Sequence, residues 1–253
     1  MKKNIAKKTS LVSFGRSLLL LATLSLLFNS NYTNAQEEKG YYNWFDAVTG
    51  IDNTGLFNGV EYIENYRTIN NKHPFLDSPD FLQGTLTYSG QTYYNQALKY
   101  HVYDDLLVIK LENRGKTAIF QLISDKVDRF SLNGRSFVHV KDASEELLSG
   151  FFEIQNEKNE KVLLKKHRRK KKSRLDKTST YYEFSKEDGY YLLKSNDVFY
   201  SFNSKKELHE LFPEAKKEIN SFYNEKRALQ KKDREAFVNS IFLKLSSIPI
   251  NSI

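Results

Sequence analysis

Between residues 81 and 202, apolar and polar positions alternate in short runs of Val, Ile, Leu, Phe and Tyr, separated by Asn, Asp, Gly and Ser. A period of two marks a strand with one buried face. The pattern predicts strands over 84–88, 97–103, 106–112, 117–123, 127–132, 135–140, 150–155, 161–166, 180–184, 190–194 and 198–202. None of these stretches keeps a helical period beyond a turn or two, and their close spacing favours hairpins. The expected architecture is α+β: an antiparallel β-meander of roughly ten or eleven short strands, as a curved sheet, sandwich or half-barrel, followed by two or three helices.

Turn chemistry tests the registers. A two-residue turn at Asp104-Asp105 sets Leu98, Tyr100 and Val102 against Leu111, Ile109 and Leu107. A connection through 113–116 then sets those same three β residues against Ala118, Phe120 and Leu122. A one-residue slip would invert every side chain, so the agreement on one apolar face is informative. The strongest turn signal is Asn133-Gly134, which suits a type I′ turn because both central residues need positive φ. It places Phe130 opposite Phe137 and Asp128 opposite His139.

Beyond residue 203 the period becomes helical. Ser204 and Glu207 form a capping-box pattern ahead of Leu208, Leu211 and Phe212. Pro213 suits the first turn of a second helix carrying Ile219, Phe222 and Tyr223. Asp233 can cap a third, with Phe237, Val238, Ile241, Phe242 and Leu245 along one stripe. The chain divides at 1–35, 36–80, 81–203 and 204–246. The second of these parts has no sustained period; it opens on Tyr41, Tyr42, Trp44 and Phe45, expected to anchor it to the sheet or to stack on a ligand.

Residues 1–35 carry Lys2, Lys3, Lys7, Lys8 and Arg16 and no acid. The apolar run over 18–28 is far shorter than the roughly 20 residues of a spanning helix. With Ala35 at its end, the segment is expected to be a secretory signal peptide removed before Gln36. The chain has no cysteine, hence no disulfide, thiolate metal site or cysteine-borne lipid. Removing the leader's five cations lowers the formal net charge from +8 to +3. Eight cations crowd into 165–174: Lys165, Lys166, Arg168, Arg169, Lys170, Lys171, Lys172 and Arg174. The rest of the exported chain is therefore mildly acidic, and this run is a cationic tag on it.

Export disfavours nucleic acid as the run's target, and the run holds no aromatic residue on which bases could stack. What remains is an anionic envelope surface or an acidic protein partner. Other chemistry is sparse. His73, His101, His139, His167 and His209 lack metal-ligand spacing, so no metal or cofactor is expected. The Asp128–His139 pair has the form of an oriented general base, but also that of compatible cross-strand neighbours, and no nucleophile accompanies it. No nucleophile elbow or phosphate-cradling glycine loop is present. The strands fall short of the 9–11 residues or so that an outer-membrane barrel requires. The expected function is non-catalytic binding in the periplasm or at the envelope; the alternative is a hydrolase with a site assembled from scattered residues.

Two stretches, Phe81-Leu-Gln-Gly-Thr-Leu-Thr-Tyr-Ser-Gly-Gln-Thr-Tyr with Leu98-Lys-Tyr-His-Val-Tyr-Asp-Asp, and Gly150-Phe-Phe-Glu-Ile with Tyr190-Tyr-Leu-Leu-Lys, resemble a family of uncharacterised exported β-rich proteins of Gram-negative bacteria with a Lys-rich helical tail. The resemblance implies export and a β-plus-helix architecture over about 81–245. It carries no catalytic residue.

Overall fold

The computed structural model describes residues 55–69, 71–113, 115–141, 148–176, 179–194 and 198–250. The expected leader and the aromatic group at 41–45 lie outside them. Eleven strands make one antiparallel sheet: β1 (Val60–Glu61), β2 (Leu82–Tyr88), β3 (Gln91–His101), β4 (Leu106–Asn113), β5 (Lys116–Gln121), β6 (Val127–Leu132), β7 (Arg135–Val140), β8 (Gly150–Lys158), β9 (Lys161–Lys166), β12 (Gly189–Lys194) and β13 (Phe199–Ser201). The strands β10 (Arg169–Asp176) and β11 (Ser179–Lys186) leave it as a separate two-stranded ribbon. Helices α1 (Lys205–Leu211), α2 (Lys216–Glu225), α3 (Arg227–Lys232) and α4 (Arg234–Leu245) follow.

Among the described residues, two-residue turns with both φ positive close three hairpins, at Ser89-Gly90, Asn133-Gly134 and Asn159-Glu160. Phe130 pairs with Phe137 as the Asn-Gly turn requires, their rings stacked with centroids 4.5 Å apart. The register through 113–116 also holds, with Ile109 on Phe120 and Leu111 on Ala118. The β3–β4 register differs from expectation by two residues: Leu98 meets Ile109 and Tyr100 meets Leu107. Only Asp105 of the Asp pair has positive φ, so a tight I′ turn is not formed and a longer loop starts at Val102. An even shift keeps every side chain on its face.

The strand order is β1-β5-β4-β3-β2-β6-β7-β8-β9-β12-β13, so the chain runs from β5 back to the far side of β2. In a flat sheet β5 and β6 would stand about 19 Å apart, four strand spacings. Their short connection includes a 3-10 turn over Ser124–Lys126 and reaches only about 16 Å. The sheet must therefore curl. Irregularities in the β2–β3, β2–β6 and β8–β9 pairings help it to do so, one of them beside Asn95 with φ of 55°.

One row of cross-strand neighbours explains the interior. Leu86, Phe130, Phe137, Glu153, Lys165 and Tyr190 follow one another across β2, β6, β7, β8, β9 and β12. All project from the same face. The first three belong to a core inside the curl, with Leu98, Tyr100, Ile109 and Phe151. Tyr190 belongs to a second core where Leu163, Leu192 and Phe202 meet Phe212, Ile219, Phe237 and Phe242 of the helical region. Glu153 and Lys165 stand between the two. The helices begin as the sequence indicates: Ser204 and Glu207 close a reciprocal cap, and the Asp233 carboxylate accepts from the Ala236 N–H.

Candidate cationic interface

The basic run passes from β9 through His167 and Arg168 into β10, and the fold divides it in two. In the first half, strand alternation sends Lys165 and Lys166 to opposite faces. Both are buried. Lys165 Nζ lies 2.6 Å from Glu235 Oε2 of α4 and 3.4 Å from Asp188 Oδ2. Lys166 Nζ donates to Asp105 Oδ2 at 2.6 Å and to the Ser149 carbonyl at 2.9 Å. His167 Nε2 meets Glu153 Oε2 at 2.5 Å, and Glu153 Oε1 is 3.6 Å from Arg135 Nε. Arg169 donates to the Phe75 carbonyl and faces Asp188 at 3.5 Å, while Arg168 donates to the Tyr191 hydroxyl. Unpaired, these charges would not survive burial. Burial lowers the Lys166 ammonium below its usual value against the pull of Asp105. For Lys165 burial works the same way but is outweighed by the Glu235 hydrogen bond, with Tyr190 and Asp188 adding to it, and the net shift is upward.

The second half is open. Every residue from Lys170 to Asp176 is exposed. Register places Lys170, Lys172 and Arg174 on one face of the ribbon, opposite Ser185, Glu183 and Tyr181. Glu183 is shared between Arg174 Nε at 3.2 Å and Lys72 Nζ at 3.4 Å. Among the described residues Lys170 and Lys172 have no carboxylate partner. On the other face Lys171 Nζ sits 4.9 Å from the ring centroids of Tyr66 and Tyr103 and 5.3 Å from that of Tyr182. This is a cation–π cradle, completed by Phe184 against Tyr66 and Tyr103.

A lone two-stranded ribbon is marginal in water. Here it is tied down by the chain that precedes β2. The Tyr182 N–H donates to the Arg67 carbonyl and the Phe184 N–H to the Lys72 carbonyl, both at 2.9 Å. The same segment bonds to β3 through Pro74 and Leu76, and Phe75 bridges His101. Tyr66 hydrogen-bonds to Asp104 and stacks on His101, and its phenol is pushed up to about 12, chiefly by burial and then by Asp104. So 62–69 and 71–76, expected to be aperiodic, form a strap. It alternates with no sheet of its own and carries no pattern to betray it.

The Asp128–His139 pairing is not formed. The β2–β6 register slips between Arg129, opposite Thr87, and Val127, opposite Tyr88, which makes Asp128 the extra residue of a bulge. Its carboxylate accepts from the Gly90 N–H at 3.0 Å and from Lys141 Nζ at 3.2 Å. His139 lies beside the Phe151 ring instead. Of the other histidines, His101 Nδ1 accepts from the Asp104 N–H and His209 stands on α1. Among the described residues no three His, Cys, Asp or Glu converge in a way that could hold a metal ion. A groove of about 650 Å³ lies on the hydroxyl-rich outer face of β2, β3, β6 and β7. There Thr87 and Thr92 bond to each other, and the only charged lining residues are Asp128 and Arg129.

Sequence reasoning located the cations and missed their partners. Glu153 offered a signal, as a single acid between Phe152 and Ile154; Asp188 and Glu235 offered none. No helix among the described residues is long and apolar enough to cross a membrane. No family model, curated protein or solved structure matched the chain.

Proposed function

We propose that this is an exported, non-catalytic binding module that uses the β10–β11 ribbon to engage an anionic partner at the cell envelope. The observation that carries the reading is the division of the basic run. Charge needed inside the fold is neutralised by Asp105, Glu153, Asp188 and Glu235, while Lys170, Lys172 and Arg174 are held outward in a row on a braced ribbon. No interior requirement accounts for Lys170 and Lys172, and among the described residues Arg174 meets only Glu183 of the ribbon itself. Each cation near an anionic surface contributes on the order of 1 kcal/mol before screening.

Replacing Lys170, Lys172 and Arg174 by Ser is expected to weaken binding to poly-glutamate or to phosphatidylglycerol vesicles about tenfold, with salt weakening the unaltered chain in parallel. Lys171 is left in place because it is packed in the cradle. Binding indifferent to salt, or equal in the triple variant, refutes the reading. Export has its own check: mass spectrometry of the protein from its native cell should find Gln36 at the N-terminus, and an intact 1–35 segment would overturn that part.

A further inference from the structure

The sheet ends in short edges, two residues in β1 and three in β13. Brevity of this kind blunts an edge against pairing. The ribbon is different. β11 is flanked by β10 on one side and by the strap on the other, whereas β10 runs for eight residues with no strand on its outer side among the described residues. The strand is extended and its residues from Lys170 to Asp176 are exposed, and the bracing on the β11 side holds it in place before any partner arrives.

We propose that this free edge of β10 accepts an extended acidic polypeptide segment as an added strand. The proposal rests on the reading of the ribbon as the contact element and specifies its partner. Main-chain hydrogen bonds to an open edge supply affinity, and alternate side chains supply selection. Lys170, Lys172 and Arg174 repeat at about 6.8 Å along one face, the repeat of alternate residues in any strand laid beside them. Acids at every second position of the partner fall opposite these cations as cross-strand pairs. The intervening positions fall opposite Lys171, Ser173 and Leu175. Leu175 is 76 % exposed, so an apolar residue is favoured there. The partner's pattern is thus acidic and uncharged in alternation.

A membrane fits less well. It would meet either the face with Lys170, Lys172 and Arg174 or the face with Leu175, because alternation sets these on opposite sides. It would also leave the open amides of β10 unused.

The experiment compares two probes on the full chain: a short peptide alternating Glu and Val, long enough to span 170–174, and the same peptide with every amide N-methylated. Side-chain sequence and charge are equal, but only the first can form a ladder. The N-methylated peptide is expected to bind about tenfold or more weakly, from the loss of a few hydrogen bonds of about 1 kcal/mol each. Hydrogen exchange of the β10 amides should slow on addition of the unmodified peptide. Equal binding of the two peptides, or unchanged exchange in β10, overturns strand addition while leaving charge-driven contact standing. Binding to phosphatidylglycerol vesicles without binding to either peptide overturns it in favour of a lipid surface. Absence of binding to peptides, poly-glutamate and vesicles alike refutes both readings and leaves the cations as a guard against edge-to-edge aggregation.

Discussion

Residues 165–169 and 170–174 have nearly the same composition and adjoin in the chain, yet one stretch is interior and the other is surface. Lys165 and Lys166 are each only 6 % exposed and each touches a carboxylate at 2.6 Å, whereas Lys170 and Lys172 face water. The difference does not lie in the lysines. It lies in what the rest of the fold brings to this stretch: Asp105 of the β3–β4 loop to Lys166, Glu153 of β8 to His167, and Asp188, just before β12, with Glu235 of α4 to Lys165. A charge run is therefore no guide to exposure until its opposite charges are located. Where they converge, the run becomes a polar seam between two apolar cores; where fewer are at hand, it stays open to solvent.

The contrast can be broken from the interior side. Asp105→Ala deprives Lys166 Nζ, the Tyr100 hydroxyl and the Phe151 N–H of one acceptor. Leaving that ammonium buried without its partner is expected to cost about 3 kcal/mol, read from the denaturant midpoint. A cost near zero would mean the seam is solvated and the two halves are alike.

Adjacent lysines within the seam sharpen the comparison through pH. Lys166 titrates below the ordinary 10.5 when folded. Between its folded value and 10.5 the unfolded chain holds more protons, so this group's contribution to stability rises with pH. Lys165 is raised above 10.5. Its contribution is complete below 10.5 and is lost as pH climbs through the folded value. The stability differences caused by Lys165→Met and Lys166→Met, followed over about pH 8 to 11, should therefore slope in opposite directions. Slopes of one sign would contradict the two environments described. The smallest effect belongs to the outer half. Lys170→Ser, Lys172→Ser and Arg174→Ser together should change stability by no more than about 0.5 kcal/mol, since exposed charges and the Arg174–Glu183 pair contribute little. A loss of several times that would make the ribbon's cations structural.

Much of this was legible in the sequence because it is local. Asn133-Gly134 fixed Phe130 on Phe137, and Ser204 with Glu207 marked the start of α1. The β3–β4 register was two residues off but kept its apolar face, since the pattern constrains parity and not length. Less legible were the features that break a period. Gln91 to Gln96 is polar, and the bend at Asn95 hides the first half of β3. The bulge at Asp128 undid a dyad that simple alternation supports. β10 has no alternation of polarity and reads equally as a loop or a strand extension; it is a strand because β11 lies beside it. The candidate interface was visible as charge, but its division into two fates depended on carboxylates that the chain supplies from as far as 70 residues away.

The strap formed by 62–69 and 71–76 also has a consequence for the order of assembly. A chain made from its N-terminus presents Lys72 111 residues ahead of Glu183, its partner on β11. Hairpins β2 to β9 can close as they emerge, each from neighbours just made, but the ribbon has nothing to lean on unless the strap has already been laid across β3. Its docking is then a check on everything upstream. A chain whose early part has gone astray displays a loose, cationic hairpin in place of a braced one, a difference in susceptibility to proteolysis.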